Sequence, residues 1–333
     1  MVTIEKDIVD TLKGVLDKAG MYYRIFSRIK SAESIKRKLS EKAQKYRETG
    51  NKMQDIIGIR VVFYFQKDVD IFAQRLRLLP GYDANNESCS AKDIDNISGI
   101  IKQWDDDDSN KKMMKLLLPL HDKTFMPERL NIVMNMTEKQ KNMANLVLAS
   151  YLRVGKMDSY TDLIDYTYEI QLRTVLSEGW HEVEHDLRYK TKNESWWDYC
   201  YEESRMLNGI YASLETSEKA LSQMIDGISY KNYKNKSWDA MLRFHFCRRT
   251  METPLSQELC DILDSDSSLA KELLRTSVEE LTSWLWDLRI SIPITVDNIV
   301  YLVNRMKIQD SKIFERETSA IKSVFEYKNA HKE

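Results

Sequence analysis

The sequence predicts an α+β chain in which strands and helices mix up to about residue 192 and only helices follow from residue 193 to 333. Three observations predict it. Segments dense in β-branched and aromatic residues, Asp55–Phe65, Arg129–Met136 and Tyr168–Thr174, all fall before residue 192. Beyond about Asn193 the apolar positions recur only at helical spacing. The composition, 42% hydrophobic and 31% charged over 333 residues, is that of a globular chain long enough to bury a substantial core.

In chain order, the apolar spacing from Ile8 to about Ile29 predicts a helix, and a second, heavily charged helix follows Lys30-Ser31 to about Arg47. Asp55–Phe65 predicts a central strand, with Gly58 marking a bulge or a close backbone approach. Asp68–Leu79 is expected to be the helix packed on that strand, ended at Pro80. Residues 81–122 carry little pattern and read as a variable excursion with a short helix, the acidic run Asp105–Asp108 being a solvated loop. Then come a strand at Arg129–Met136, a helix at Glu138–Met157, the strand Tyr168–Thr174 and a helix at Glu178–Lys190. The C-terminal part predicts helices over Glu203–Ile228, Trp238–Thr250, Leu269–Leu288, Val296–Met306 and Lys312–Lys328, whose Trp and Leu stripes read as core.

Charge and cysteine usage narrow the function. A formal net charge of -2 excludes a broadly basic coat for nucleic acid, so any anion site must be local. The first residues turn charged at once and no apolar run reaches a membrane span, so neither a signal peptide nor a membrane segment is expected. Cys89, Cys200, Cys247 and Cys260 are scattered without CxxC spacing and read as reduced thiols in a cytoplasmic protein.

Alternation along Tyr168–Thr174 puts Tyr168, Ile170 and Leu172 on one strand face and Glu169, Gln171 and Arg173 on the other. Either the polar face meets water, or a carboxylate, an amide and a guanidinium are kept there to bind a metal and nucleotide. Arg28, Lys30, Ser34 and Lys38 bring cations and a hydroxyl to a helix end and its next turn, a cluster that suits phosphates, although a solvated basic face has the same pattern. Asp55, at the mouth of the buried strand, is the candidate to meet Glu169 and share a Mg²⁺ ion, which takes one or two carboxylates and leaves its other positions to water and phosphates. A competing pattern is His181-Glu182-Val183-Glu184-His185, which fits the helical H-E-x-x-H zinc motif but lacks an obvious substrate-binding edge strand before it.

Taken in order, Arg28-x-Lys30 with Ser34 and Lys38, Asp55-Ile-Ile-Gly-Ile-Arg60, Glu169-Ile-Gln-Leu-Arg-Thr174, then Glu184-His185 and Tyr189-Lys190 resemble the motifs of RelA/SpoT synthetase domains. The resemblance covers about residues 20 to 192. It implies a nucleotidyltransferase-like mixed β-sheet flanked by helices over residues 1–192, followed by an all-α domain at 193–333. It also implies a pyrophosphokinase of the alarmone type, moving the β,γ-pyrophosphate of ATP to the 3′ hydroxyl of an acceptor, usually GDP or GTP. Carried over by position, Arg28, Lys30, Ser34 and Lys38 hold ATP, Asp55 binds Mg²⁺, and Glu169 is the second carboxylate and general base, supported by Gln171 and Arg173. Arg60 joins the nucleotide-binding set, yet its strand parity is opposite to that of Asp55 and would match only across a bulge at Gly58.

The chain departs from the family at the acceptor loop, which normally reads Tyr-Arg-Ser-x-His. Here Phe125 stands where a base would stack and Arg129 where a phosphate would lie. The acceptor thus stays open between a guanosine nucleotide and the 3′ end of tRNA, the substrate of toxin-like members that arrest growth or act against phage. A non-catalytic nucleotide sensor is the other alternative. No His-Asp pair with the spacing of the family's hydrolase appears before residue 20, so degradation of the product is not expected. The helical C-terminal region is expected to cap the site, sense a signal or form a homo-oligomer.

Overall fold

The computed structural model describes residues 1–49, 52–54, 56–89, 130–152, 162–184, 186–187, 200–249 and 251–330. The chain divides into two compact units, Met1–Val9 with Tyr23–Glu218, and Asp10–Tyr22 with Lys219–Glu333. The expected boundary near residue 192 lies outside the described residues.

The first unit is built on one mixed sheet. Its strands are β1 (Tyr23–Ile29), β2 (Ile57–Phe63), β3 (Ser88–Cys89), β4 (Leu130–Asn135) and β5 (Thr167–Thr174). They lie in the order β1-β2-β5-β4-β3. Only β2 and β5 run parallel, the other neighbours being antiparallel. This is the mixed sheet flanked by helices that the family resemblance implies. The two central strands are apolar on one face because Ile57, Ile59, Val61 and Phe63 alternate with smaller or polar residues, as Ile170 and Leu172 do on β5. With Ile132 and Met134 of β4 they form the core of this unit, each 2% exposed or less. Burying side chains of this size stabilises the fold by about 1.5–3 kcal/mol apiece, so truncating Ile170 to Ala is expected to cost about 2–5 kcal/mol.

The helices of this unit follow from the same patterns. α1 (Val2–Lys18) begins in it and turns Ile4 and Ile8 inward. α2 (Ala32–Thr49) buries Ile35, Leu39 and Ala43, a stripe at helical spacing. α3 (Gln66–Arg77) sets Phe72 against Phe63 of β2, with ring centroids 5.5 Å apart. α4 (Glu138–Leu152), α5 (Val175–Glu184) and α6 (Tyr201–Lys234) complete the series, α6 continuing into the second unit.

Two expectations need correction here. The helix expected to run to Ile29 ends at Lys18, because Gly20 adopts φ +63°, a left-handed conformation open to glycine, and Tyr23–Ile29 form an edge strand instead. Helical spacing of the apolar residues across 8–29 hid a strand whose own alternation breaks at Phe26, Ser27 and Arg28, all exposed. Gly58 makes neither a bulge nor a close approach: pairing is continuous from Ile57 to Phe63 on both neighbours, and no described atom lies within 4 Å of where its Cβ would stand.

The second unit is helical, with α7 (Trp238–Phe246), α8 (Gln257–Ser265), α9 (Ser267–Arg275), α10 (Val278–Asp287), α11 (Val296–Val303), a π turn at Asn304–Ile308, α12 (Ser311–Arg316) and α13 (Ser319–Ala330). The single helix expected at Leu269–Leu288 is two, divided at Thr276-Ser277. There Ser277 caps α10, its hydroxyl accepting the Glu280 N–H while the Glu280 carboxylate accepts the Ser277 N–H. Trp238 and a run of Leu and Ile from Leu242 to Leu302 pack as one core. In α1 the Lys18 ammonium donates to the Trp286 carbonyl and the Val15 carbonyl accepts the Trp286 indole N–H, so this stretch of α1 is an integral helix of the second unit.

Candidate functional site

The sheet register decides which side chains share a face. Arg28 lies opposite Gly58, Gly58 opposite Glu169, and Glu169 opposite Val133, giving one row across β1, β2, β5 and β4. The next row is Phe26, Arg60, Gln171 and Asn131. Directly opposed residues point to the same side of a sheet, so Arg28, Arg60, Glu169 and Gln171 stand on one face with no bulge needed. Gly58 keeps the centre of that face bare between a guanidinium and a carboxylate.

A polar chain runs along this face. The Gln171 amide N–H donates to Glu169 Oε2 at 3.2 Å, and Gln171 Oε1 accepts from Arg60 Nε at 3.3 Å. The Arg60 Nη1 then pairs with Glu178 and, at 2.5 Å, with Glu182, one helical turn apart on α5. Burial opposes the charge of Arg60, but its hydrogen bonds to the Glu178 and Glu182 carboxylates outweigh it and hold its pKa above the ordinary arginine value. Burial and then the nearby Asp7 charge push the Tyr168 hydroxyl, next to Glu169 on β5, up to about 12.

Ahead of the sheet, the N–H of Lys30 donates to the Ile56 carbonyl, extending the β1–β2 pairing by one residue. Ser31 then starts α2 by accepting the Ser34 N–H at 3.2 Å and donating its own hydroxyl to Ser34 Oγ at 3.1 Å. This junction sets Arg28 and Lys30 at a strand end and Ser34 and Lys38 on the first turns of the helix. A cleft of about 280 Å³ opens between α2 and the ends of the central strands. Lys38 and Tyr46 of α2, then Lys52 and Gln54, form one wall, and Val133, Thr167, Tyr168 and Glu169 form the other.

The cleft therefore brings Lys38 and Glu169 together, and hydrogen bonding joins Gln171 and Arg60 to them. Arg28 stands two strands from Glu169 in the same row, exposed and without an ion pair to any described residue. Arg173 does not reach the cleft: it is 7% exposed and donates to the Leu172 carbonyl. Asp55, Phe125 and Arg129 lie outside the described residues. Tyr46, Lys52 and Gln54 were not anticipated by any motif. Tyr46 had one legible signal, since it follows Lys38 by eight residues on the same helix face.

The zinc reading of His181 to His185 loses its base. Glu182 is engaged by Arg60, and His181 is 8% exposed, packed beside the rings of Trp180 and Tyr211 with Nδ1 3.7 Å from Glu184. His185 lies outside the described residues. Among the described residues no three of His, Cys, Asp and Glu gather as a metal cluster, and no helix is long and apolar enough to cross a membrane. Glu169 nonetheless has the chemistry of a Mg²⁺ ligand, a half-buried carboxylate whose hydrogen bonding among the described residues stops at one amide.

Compared with known proteins, residues 27–194 match the family model described as the region found in RelA / SpoT proteins. None of the curated proteins matches the chain. Among solved structures the chain is similar to a GTP pyrophosphokinase family protein from Streptococcus pneumoniae, at 17% identity over 66% of this chain and 88% of that one, with a TM-score of 0.41. It is also similar to small alarmone synthetase 1 from Bacillus subtilis bound to its product pppGpp, at 16% identity over 66% and 91% of the two chains, with a TM-score of 0.39. Small alarmone synthetase 2 from Bacillus subtilis aligns at 17% identity over 67% and 98%, again with a TM-score of 0.39.

Proposed function

The chain belongs to the RelA/SpoT family and is a pyrophosphokinase, and from that premise we propose that it transfers the β,γ-pyrophosphate of ATP to the 3′ hydroxyl of a guanosine nucleotide. The observation that carries this reading is the meeting of Lys38 and Glu169, far apart in sequence, in one cleft beside the row Arg28–Gly58–Glu169. Cytoplasmic action goes with it, since its nucleotides are there.

Each residue has a role that follows from its place. Arg28 and Lys30, at the end of β1, hold the donor phosphates together with Ser34 and Lys38. Arg60, fixed by two carboxylates, offers a flat guanidinium to the donor nucleotide. Glu169 accepts the proton of the acceptor hydroxyl as that oxygen attacks the β-phosphorus and AMP departs. One of its oxygens takes the Gln171 N–H, which fixes the carboxylate's orientation and leaves the other oxygen for the acceptor. Asp55 and Glu169 would hold Mg²⁺, which when bound neutralises charge on the phosphates. Most of the rate enhancement in such a reaction comes from alignment and cation clamps, which these residues supply.

Incubation of the full chain with γ-labelled ATP and separate samples of GDP, GTP, ADP and bulk tRNA tests the proposal. Label on GDP or GTP is the expected result. Label on tRNA alone would replace the acceptor, and binding of ATP with no transfer to anything would replace the enzyme by a sensor.

A further inference from the structure

Resting on the pyrophosphokinase reading, we infer that the cleft beside Glu169 is the acceptor pocket, with Tyr46 carrying the base and Lys52 the 5′-phosphates of a nucleoside 5′-polyphosphate. Neither residue belongs to any motif of the sequence. Both line the cleft, and neither forms a hydrogen bond or ion pair with a described residue.

The position of the cleft in the sheet is the first argument. Arg28 and Arg60 lie on β1 and β2, on one side of Glu169, and they do not line the cleft. The cleft wall reaches Val133 of β4, on the other side of Glu169. In-line displacement needs donor and acceptor on opposite sides of the reacting phosphorus, with the base beside the acceptor hydroxyl. With Glu169 between the two regions, the donor takes the side of β1 and β2 and the acceptor takes the cleft.

Size and lining agree with this division. A volume of about 280 Å³ is just below the range of ligand pockets, about 300 to 1,000 Å³, and so leaves room for no more than one nucleotide. Tyr46 presents a flat π face that any base can stack on. Lys52 is an exposed point charge suited to a terminal phosphate, and Lys38, assigned to the donor phosphates, also lines the cleft, where the two nucleotides would meet. A free 5′-polyphosphate would engage Lys52, whereas the 3′-terminal residue of an RNA has no such group to offer it.

The test uses the full chain and its variants Tyr46→Ala, Tyr46→Phe and Lys52→Ala. Equilibrium binding is measured for GDP, GTP, guanosine and an ATP analogue with a methylene group in place of the oxygen bridging its α- and β-phosphates, followed by KM for donor and acceptor. Tyr46→Ala is expected to weaken GDP and GTP about tenfold, with the ATP analogue within about twofold, and Tyr46→Phe to restore binding. Lys52→Ala is expected to weaken GDP and GTP and to leave guanosine unchanged. Because Lys52 is exposed, that variant tests the pocket even if Tyr46→Ala fails to fold. Equal losses for donor and acceptor, or no change in either, would overturn the assignment. Label transfer to tRNA alone, without mononucleotide binding, would overturn the pocket and leave the transferase standing. Tyr46-dependent mononucleotide binding without any transfer would do the reverse.

Discussion

Replacing Gly58 by Val should separate stability from activity. Gly58 is at the centre of β2, paired on both sides, and no described atom lies within 4 Å of a Cβ built there. The fold therefore has room for the side chain. Removing a glycine from a strand interior returns about 0.5–1 kcal/mol, and the β preference of valine adds up to about 1 kcal/mol. For a unit of this size the midpoint of thermal unfolding should rise by roughly 1–8 °C. The new methyl groups, however, would stand between Arg28 and Glu169, on the floor over which the phosphates must pass. Displacing a reacting group by about 1 Å is enough to lose about a hundredfold in rate, so transfer of label from γ-labelled ATP should fall at least that far. Thermal unfolding and initial rates on the same preparation decide the matter. A variant that is more stable and fully active would show that nothing crosses that row, and one that unfolds early would show that Gly58 serves the fold.

Other outcomes follow from the same geometry. Glu169→Gln should lower transfer by about 10²–10⁴-fold at a nearly unchanged unfolding midpoint, and unchanged initial rates would remove Glu169 as the base. Chelation by EDTA should abolish transfer and added Mg²⁺ restore it; turnover that persists in EDTA would refute the carboxylate-bound ion. Glu178→Ala should destabilise by about 1–3 kcal/mol in urea, and Glu182→Ala by less than about 1 kcal/mol, because the Glu178 side chain is 15% exposed and that of Glu182 63%; the opposite ranking would refute the burial argument. In the helical unit, Ser277→Ala should cost about 1 kcal/mol through loss of the cap of α10. The Ser277 N–H, ahead of Lys307, holds the Glu280 carboxyl below its ordinary 4.5. The folded-state pKa being the lower one, that stabilisation is complete above 4.5 and is lost as pH falls through the folded value. The gap in urea midpoint between wild type and Glu280→Gln should accordingly close in that acid range, and a gap that widens there would reverse the sign.

Much of the sheet was legible because strand alternation is local: Ile57 to Phe63 and Ile170 to Leu172 announce a buried face without knowledge of their neighbours. The edge strand Tyr23–Ile29 was not, since three of its seven residues in a row are exposed and its apolar positions also fit a helical period. Glu169 and Gln171 could be singled out because a charged or amide group next to buried strand positions is unusual by itself, and Lys38 because it falls in a basic cluster with Arg28, Lys30 and Ser34. Their mutual register could not, because which residue of β2 faces which residue of β5 depends on pairing across more than a hundred residues of chain. The same limit explains Arg60. Parity along one strand related it to Asp55, whereas only the neighbouring strand relates it to Glu169. Tyr46 and Lys52 carry no unusual local context, and the cleft that gives them meaning exists only once helix and strand ends meet.

Membership of the first helix in both units bears on how the protein can be cut. Residues Asp10–Tyr22 are grouped with Lys219–Glu333, so a fragment started after residue 192 would lose the stretch that receives the Trp286 indole N–H and supplies Lys18. An N-terminal deletion meant to trim the catalytic half would likewise strip the tail end of the chain of a helix it needs, and separately expressed halves should be insoluble or molten until residues 10–22 are grafted back.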